Sequence, residues 1–412
     1  MEFDVLVAGG GSAGLAAAIS AARLGARTLL VERDAMLGGM ASAALVHSIC
    51  GLYRLRGDDE PRKLANAGFA AEFASRLAAA GGAFGPLRMS RVDVLLQRPA
   101  DFARLAAQLA HETPRLTVRL ETELVGAEEM LVLQNGRGIE RVQARTFVDA
   151  TGDAVLANLR SAPCEMAESA RLQRPAWIFA LSGVASDALS GDARLRLAKW
   201  IAAAVQSGAL PANALGAHFR AIGRDEVYVT IDLAGGSDFD PLDEACLARL
   251  QQEGRSLAER LWHWLREQVA GFETCRISTW PTRLGVRESR RVIGRYRLEA
   301  EDIESGAQFS DAVAFAAWPM ELRETARGAR LRFPRGNEPC GIPLRALRAR
   351  DDDALFMAGR CISCSHEAQA SLRVIGTCLA TGEAAGLAAA LLALHGDCDA
   401  AAVNSAREKL AR

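Results

Sequence analysis

The chain has 412 residues, half of them hydrophobic, and a formal net charge of −1 at pH 7. A chain of this length can bury a large core, and we expect it to form two domains. A net charge close to zero gives no electrostatic reason for binding nucleic acid or an anionic membrane surface.

Cysteine usage indicates the compartment in which the protein works. The nine cysteines are an odd number at irregular spacing, which predicts reduced thiols in a cytoplasmic protein. We expect no signal peptide, because residue 1 leads directly into the first strand. The longest apolar run, residues 384–394, is too short to cross a bilayer and is interpreted as a buried helix.

The opening segment of the chain is the most informative one. An apolar strand, a glycine-rich turn, a helix and a second strand follow one another, at residues 3–8, at Gly9, Gly11 and Gly14, at residues 15–24 and at residues 28–31. Glu32 follows the second strand. The glycines let the backbone approach a pyrophosphate, the helix N-terminus faces its charge, and the acid binds ribose hydroxyls. This combination predicts a bound dinucleotide.

Apolar periodicity and turn residues predict the remaining elements. Residues 49–98 are expected to form a mostly helical excursion, with a helix over residues 60–80. The other predicted helices are residues 101–111, 191–206, 243–269 and 374–392, and the other predicted strands lie within residues 116–148, 176–183, 226–233, 275–280 and 354–358.

The change in character after residue 154 predicts the domain organisation. Residues 1–154 are expected to form the first part of a cofactor-binding domain, and residues 285–412 its second part. Residues 155–284 mix strands with two long helices, which predicts a substrate domain inserted between the two parts.

Several blocks along the chain narrow the choice of dinucleotide. They are Leu37-Gly-Gly-Met-Ala41, Asp149-Ala-Thr-Gly-Asp-Ala154, Arg287-Glu-Ser-Arg-Arg-Val-Ile-Gly294, Ala358-Gly-Arg-Cys-Ile-Ser363, His366-Glu-Ala-Gln369 and Arg373-Val374. In these blocks the sequence resembles FAD-dependent oxidoreductases with a glutathione-reductase-like FAD fold, and it is similar above all to a bacterial branch of them. The resemblance implies FAD and an α/β fold, with a Rossmann-like FAD domain of glutathione-reductase type and an inserted α+β substrate domain.

The glycine-rich turn and the resemblance together predict the residues that bind FAD. They are Gly9, Gly11, Ser12, Ala13, Gly14, Glu32, Arg33, Gly38, Gly39, Met40, Ala41, Ala150, Thr151, Gly152, Gly359, Arg360, Val374 and Thr377.

A second nucleotide-binding motif is missing from the sequence after Gly14. Residues 216–223 lack the spacing, and residues 234–237 lack a following helix. Enzymes of the resembled class that take electrons from NAD(P)H normally have a second nucleotide domain, so we expect an organic electron donor. The main hypothesis is an FAD-dependent oxidoreductase that oxidises a small polar organic substrate by hydride transfer to flavin N5, with that molecule as its only partner.

Two other functions stay open on the sequence. One is an NAD(P)H-fed flavin monooxygenase or reductase with a transient nicotinamide site. The other is a non-catalytic, FAD-bound redox sensor in which Cys361 and Cys364 act as the switch. A zinc site at this cysteine pair is not expected, because no second matching pair occurs.

Three residues are the candidates for catalysis. His366 is the expected proton acceptor, because histidine titrates near neutral pH and the resemblance places its loop beside the flavin. Arg290 and Arg373 are expected to bind substrate charge or stabilise the reduced flavin. The alternatives are a His366 that merely binds backbone or FAD phosphate, and an arginine block 287–291 that forms an ion-paired bend between the domains.

The other histidines have weaker functional interpretations. His47 could reach the flavin or even carry a covalent link to it, and His263 is expected to be packed or solvent-facing. Surface positions are expected for His111, His218 and His395.

The segment 318–323 departs from the family pattern. Relatives often carry an acid and then a histidine here, where this chain has Glu321 and Arg323. The departure predicts that the role of that histidine has moved to His366, or that the substrate differs.

Overall fold

The computed structural model describes residues 2–128, 130–223, 226–235, 238–325 and 328–411. Residues 236 and 237 of the segment 234–237 therefore lie outside the described residues. The strands within these ranges are β1 (Glu2–Ala8), β2 (Thr28–Val31), β3 (Ser48–Ile49), β4 (Ala83–Met89), β5 (Val92–Gln97), β6 (Leu116–Arg119), β7 (Thr122–Ala127), β8 (Leu131–Asn135), β9 (Gly138–Asp149), β10 (Cys164–Glu165), β11 (Ala176–Ser182), β12 (His218–Ile222), β13 (Glu226–Asp232), β14 (Arg276–Thr279), β15 (Arg291–Val292), β16 (Ala312–Ala316), β17 (Met320–Leu322), β18 (Arg330–Arg332), β19 (Cys340–Pro343) and β20 (Leu355–Met357). The helices are α1 (Ser12–Arg23), α2 (Phe69–Ala79), α3 (Pro99–Glu112), α4 (Val155–Leu159), α5 (Ala193–Gln206), α6 (Glu244–Gln268), α7 (Ala300–Ser305), α8 (His366–Leu372), α9 (Ile375–His395) and α10 (Ala400–Leu410).

A mixed sheet forms the centre of the fold. Its strands run in the order β6-β2-β1-β9-β8-β7, and β20 also pairs with β9. The pairs β1–β2, β1–β9, β2–β6 and β9–β20 are parallel. Val5, Leu6 and Val7 of β1 are fully buried, as expected for a parallel strand that is covered on both faces. The predicted strand–helix–strand unit at the start of the chain is confirmed.

Helices α1 and α9 pack against each other at unusually close range. A β carbon at Gly382 would lie 2.0 Å from the carbonyl oxygen of Ala13, and one at Gly386 would lie 2.1 Å from that of Ala17. Glycine at both positions therefore lets the two backbones meet. This contact holds the start of α9 beside the glycine-rich turn.

Helix α9 is longer than the apolar run seen in the sequence. It is the one helix of the described residues that is long and apolar enough to cross a membrane, with a mean hydropathy of 1.6. Within that window, however, 78% of the residues are buried inside the protein. A helix that is surrounded by protein is apolar on all sides because none of its faces meets water, and the same holds for a membrane helix.

A second, antiparallel sheet has the strand order β12-β13-β11-β14. One of its faces packs on α5 and α6 and forms a hydrophobic core of its own, drawn from residues 172–286. The core around the central sheet is drawn from residues 3–157 and 292–406. The domain boundaries 1–154, 155–284 and 285–412 remain a prediction.

The prediction of a mostly helical segment over residues 49–98 is wrong. Strands β3, β5 and β4 form an antiparallel sheet there, and helix α2 begins at Phe69 rather than at residue 60. Gly68 precedes the helix with φ +76°, a conformation that an α-helix cannot continue through. Strand β12 and helix α8 were not predicted, and residues 366–372 are helical rather than a loop.

Candidate cofactor and substrate site

One cavity of about 480 Å³ extends from the central sheet to the second sheet. At one end it borders the glycine-rich turn after β1, the ends of β2 and β9, and the segment after β20. At the other end it borders the second sheet through Ala176, Ile178, His218, Arg220 and Thr230. The carboxyl ends of parallel strands and the inserted sheet therefore enclose a single space, the usual place for a ligand in such a fold.

The turn after β1 leaves an open cradle at the start of α1. Gly9 has φ +93°, and a β carbon there would lie 2.5 Å from the carbonyl oxygen of Ala150. A β carbon at Gly11 would meet only the Cα of Gly39, at 4.0 Å, so it would project into free space at the cavity wall. At Gly14 a β carbon would lie 1.7 Å from the carbonyl oxygen of Gly9. Gly14 thus permits helix–strand packing, whereas Gly11 keeps space free for a ligand.

Glu32 lies at the wall of the cavity with both carboxylate oxygens oriented by the backbone. One oxygen accepts the N–H of Gly10 at 2.6 Å, and the other accepts the N–H of Asp34 at 2.9 Å. Each oxygen keeps a further lone pair. The residue can therefore accept hydroxyl donors from a ribose.

The middle of the cavity is shaped by the turns after β9 and β20. The buried carboxylate of Asp149 accepts the N–H groups of Thr151 at 3.0 Å and Ala157 at 2.9 Å, which sets the turn that exposes residues 150–153. Burial raises the pKa of Asp149. Arg360 donates to the carbonyl oxygen of Gly152 at 2.9 Å and pairs with Asp153.

Most of the predicted FAD residues line this cavity. Those that do so are Gly9, Gly11, Ser12, Ala13, Glu32, Arg33, Gly39, Met40, Ala150, Thr151, Gly152, Gly359, Arg360 and Val374. Gly14, Gly38, Ala41 and Thr377 do not border it. Ala41 is buried and its carbonyl oxygen accepts from Gln97, while Gly38 has φ +109° before a short turn of 3₁₀ helix. Gly14, Gly38 and Ala41 thus shape the backbone around the cavity, and the hydroxyl of Thr377 is buried without a hydrogen-bond partner among the described residues.

The end of the cavity at the second sheet is rich in arginine. Arg220, Arg287, Arg323 and Arg373 border it, together with Glu321 and apolar side chains such as Leu96, Ile178 and Trp318. Of these residues, Arg373 is a predicted site residue, Arg287 belongs to the arginine block 287–291, and Glu321 and Arg323 are departures from the family pattern. Arg220 lies on a strand that was not predicted.

Two of these arginines are neutralised by carboxylates. Asp232 accepts from Arg287 at 2.7 Å and from Arg323 at 2.9 Å, and Glu321 accepts from Arg323 at 2.7 Å. Burial opposes ionisation of Asp232 and Glu321, but the neighbouring arginines lower the pKa of both carboxyl groups. Both acids are therefore charged and fully engaged.

The other two arginines have no such partner. Arg373 donates to the side-chain oxygen of Gln173 at 3.1 Å, and its Nε is buried without a hydrogen-bond partner among the described residues. Burial lowers the pKa of Arg373 to about 10. Among the described residues, the guanidinium group of Arg220 has hydrogen-bond contacts with the sulfur of Met89 at 3.6 Å and Nε2 of His218 at 3.4 Å.

His47 lies buried in the wall of the cavity, close to this cluster. Its Nδ1 lies 3.2 Å from the carbonyl oxygen of Leu45 and its ring stacks on Tyr228, with the ring centroids 4.9 Å apart. Donation from Nδ1 leaves Nε2 as an acceptor, and Nε2 has no partner among the described residues. Burial lowers the pKa of His47 to about 4, so the imidazole is neutral at physiological pH.

His366 does not border the cavity, and its assignment as the proton acceptor is not supported. Its Nδ1 lies 2.8 Å from Glu288 and its Nε2 lies 3.0 Å from Glu324, so both ring nitrogens are occupied. Burial lowers the pKa of His366, but the two carboxylates outweigh it and raise the pKa above its usual value. The two carboxylate contacts thus favour the protonated form of His366 and tie its ring to Glu288 and Glu324.

This network predicts a pH-dependent contribution of His366 to stability. Because the folded-state pKa is raised, the contribution is fully present below about pH 6.5 and is lost as the pH rises through the folded-state pKa. We expect His366→Gln to lower the melting temperature more at pH 5.5 than at pH 9. Equal losses at the two pH values in thermal denaturation would contradict the ion-paired role.

Arg290 also lies away from the cavity. Its Nε donates to the carbonyl oxygen of Asp153 at 3.0 Å, and the neighbouring Ser289 donates to the carboxylate of the same residue at 2.7 Å. The block 287–291 lies where the chain returns to the central sheet, and its hydrogen bonds mainly attach it to the turn after β9. This is a structural role, as in the alternative interpretation. Of its arginines, Arg287 is the one that borders the cavity.

Cys361 and Cys364 are free, fully buried thiols. Burial raises the pKa of Cys364 to about 12, and that of Cys361 well above its ordinary value. Protonated thiols are poor nucleophiles. No cluster of metal-ligating side chains is found among the described residues.

Solved structures resemble this chain at low identity. A flavin-dependent brominase shares 12% identity, with 100% of this chain and 84% of that chain covered and a TM-score of 0.48. A geranylgeranyl bacteriochlorophyll reductase-like protein from Thermoplasma acidophilum shares 15%, with 99% and 83% covered and a TM-score of 0.44. The p-nitrophenol 4-monooxygenase from Pseudomonas putida shares 10%, with 100% and 86% covered and a TM-score of 0.45.

The family comparison covers almost the whole chain. No curated protein matches the sequence. The family described as FAD dependent oxidoreductase, by contrast, matches residues 4–412. The open cradle at Gly11 and the oriented carboxylate of Glu32 fit the cofactor that this family uses. The protein therefore belongs to the FAD dependent oxidoreductase family and is a flavoenzyme that binds FAD.

Proposed function

We propose that this enzyme oxidises a small polar organic substrate, which binds at the arginine-rich end of the cavity while FAD occupies the glycine-rich end. The observation that carries the proposal is the single cavity that joins the turn after β1 to the polar face of the second sheet. We further propose that the central sheet belongs to an FAD domain of glutathione-reductase type and that residues 155–284 form the substrate domain.

The residues at the glycine-rich end suit the parts of FAD. The open backbone at Gly11 and the N-terminus of α1 would hold the pyrophosphate, and Glu32 would accept the ribose hydroxyls. The turns at Ala150–Gly152 and Gly359–Arg360, with Val374 before α9, would border the flavin ring.

His47 is the proton acceptor that the geometry favours in place of His366. It is neutral, it borders the cavity, and its Nε2 is free to accept a proton. A two-electron oxidation of the substrate releases two protons, and FAD, when bound, would supply the acceptor for both electrons and one of these protons. The second proton passes to Nε2 of His47 and from there to solvent.

The proposal predicts which electron donors bleach the bound flavin. Under anaerobic conditions we expect NADH and NADPH to leave the oxidised-flavin absorbance unchanged on the stopped-flow timescale, and a member of a panel of hydroxy acids, amino acids, amines and sugars to bleach it. Rapid bleaching by NAD(P)H would instead favour a nicotinamide-fed monooxygenase or reductase. A flavin that no donor reduces would favour the redox sensor.

A further inference from the structure

The arginine-rich end of the cavity has more positive than negative charge. Two acids, Asp232 and Glu321, face the four arginines of this end. Asp232 forms ion pairs with Arg287 and Arg323, and Glu321 forms one with Arg323. Arg220 and Arg373 have no carboxylate of the described residues within 4.0 Å. A cavity wall with two uncompensated guanidinium groups is a site built for an anion.

Glu288 forms no ion pair with Arg220 or Arg373, although its charge and that of Glu321 partly offset the lowering of the Arg373 pKa by burial. Its carboxylate is fully buried, pairs with Arg291 at 2.7 Å and lies 2.8 Å from His366. It does not border the cavity. The two free arginines are therefore left for a ligand rather than for a neighbouring side chain.

Arg220 and Arg373 come from different elements but face a common space. Arg220 projects from β12 of the second sheet, and Arg373 immediately precedes Val374 and helix α9. Both guanidinium groups lie close enough to Cys50, in the cavity wall, to lower its thiol pKa, although burial and Glu321 raise it more strongly. The Nε of Arg373 is buried without a hydrogen-bond partner among the described residues, so part of its donor fork is unused.

Apolar side chains also line the cavity near the two arginines. Leu96, Ile178 and Trp318 border the same end of the cavity. A ligand that fits both features has a compact anionic group on an apolar or weakly polar body. A planar carboxylate matches the fork of a guanidinium group through two parallel hydrogen bonds.

We propose that Arg220 and Arg373 bind the carboxylate of the substrate, which makes the electron donor of this enzyme a small organic acid. This inference rests on the proposed function for the statement that the bound acid is oxidised. The binding itself does not depend on turnover.

The test uses benzoate as the probe, because it joins a carboxylate to an apolar ring. We expect isothermal titration of the FAD-loaded enzyme to detect benzoate binding but no binding of the neutral benzamide. Arg220→Gln and Arg373→Gln should each weaken benzoate binding by about tenfold or more, and Arg373→Lys should restore part of the loss. FAD content and melting temperature are checked for each variant to confirm that it folds.

Arg276→Gln is the matched control, because Arg276 lies on β14 of the same sheet but is exposed and does not border the cavity. It should bind benzoate like the wild type. Equal binding of benzoate and benzamide, no benzoate binding, wild-type affinity in both arginine variants, or competition by sulfate with equal strength would overturn the carboxylate assignment. If benzoate binding requires both arginines but no donor reduces the flavin, the proposed function fails and the anion site stands.

Discussion

Gly14→Ala is expected to be strongly destabilised. The added β carbon would lie 1.7 Å from the carbonyl oxygen of Gly9 and 3.2 Å from the β carbon of Ala150. Both obstacles belong to the buried contact between α1 and the central sheet, and backbone cannot move aside as a flexible side chain can. We expect a loss of about 3 kcal/mol or more in the free energy of unfolding, measured by urea denaturation.

Gly11→Ala separates folding from cofactor binding. Its β carbon would meet only the Cα of Gly39, at 4.0 Å, so the variant should fold with a melting temperature of the apoprotein close to that of the wild type. The methyl group would occupy space in the proposed pyrophosphate cradle. We expect FAD affinity to fall by about tenfold or more in fluorescence titrations, which corresponds to about 1.4 kcal/mol.

Gly136→Ala is the control for the loss of a glycine as such, because nothing lies within 4 Å of a β carbon at that position. It should keep both stability and FAD affinity. A Gly14→Ala variant as stable as the wild type would show that α1 can move away from the sheet. Unchanged FAD affinity in Gly11→Ala would place the pyrophosphate elsewhere.

The cofactor end of the cavity could be predicted from the sequence because the residues that form it are close together in the chain. Strand β1, the glycines, helix α1 and Glu32 follow one another within one unit, and each has a composition that its conformation requires.

The prediction of a helix over residues 60–80 failed for an equally local reason. Apolar spacing suggested one continuous helix, but Gly68, with φ +76°, delays its start to Phe69.

The substrate end could not be predicted, because it is assembled from distant segments. In β12 the alternation of His218, Phe219, Arg220 and Ala221 is the pattern of a half-exposed strand. Such a pattern does not distinguish a polar face toward solvent from one toward a cavity. His218 was accordingly predicted to be a surface residue; it is exposed but also borders the cavity, beside Arg220.

The structure gives no support to the assignment of His366 for the same physical reason. Its position before a cofactor-facing helix suggested a catalytic role, but its partners Glu288 and Glu324 lie 78 and 42 residues away along the chain. Only the tertiary fold reveals that both ring nitrogens are already used. A signal for His47 was present in the sequence, since it follows the glycine pair of residues 38 and 39.

His47→Gln is expected to slow reduction of the flavin by the organic donor by a factor of about 10² to 10⁴, the usual contribution of a positioned proton acceptor. Glutamine is close in size but cannot accept the proton. FAD content is measured in parallel, because a loss of the cofactor would slow reduction without involving the proton acceptor. His366→Gln is the matched control, and its reduction rate should stay within about threefold of the wild type at pH 5.5, because that histidine does not border the cavity.

The pH dependence of the same rate distinguishes the two histidines further. Burial lowers the pKa of His47 to about 4, so its Nε2 remains an available acceptor throughout the neutral range. The reduction rate of the wild-type enzyme should therefore be flat between about pH 5.5 and pH 8 and fall only as the pH approaches 4. A base with an ordinary histidine pKa near 6.5 would instead lose about tenfold between pH 7.5 and pH 5.5. Since the folded-state pKa of His366 is raised, an acidic limb above pH 6.5 that disappears in His366→Gln would return the role of proton acceptor to that residue.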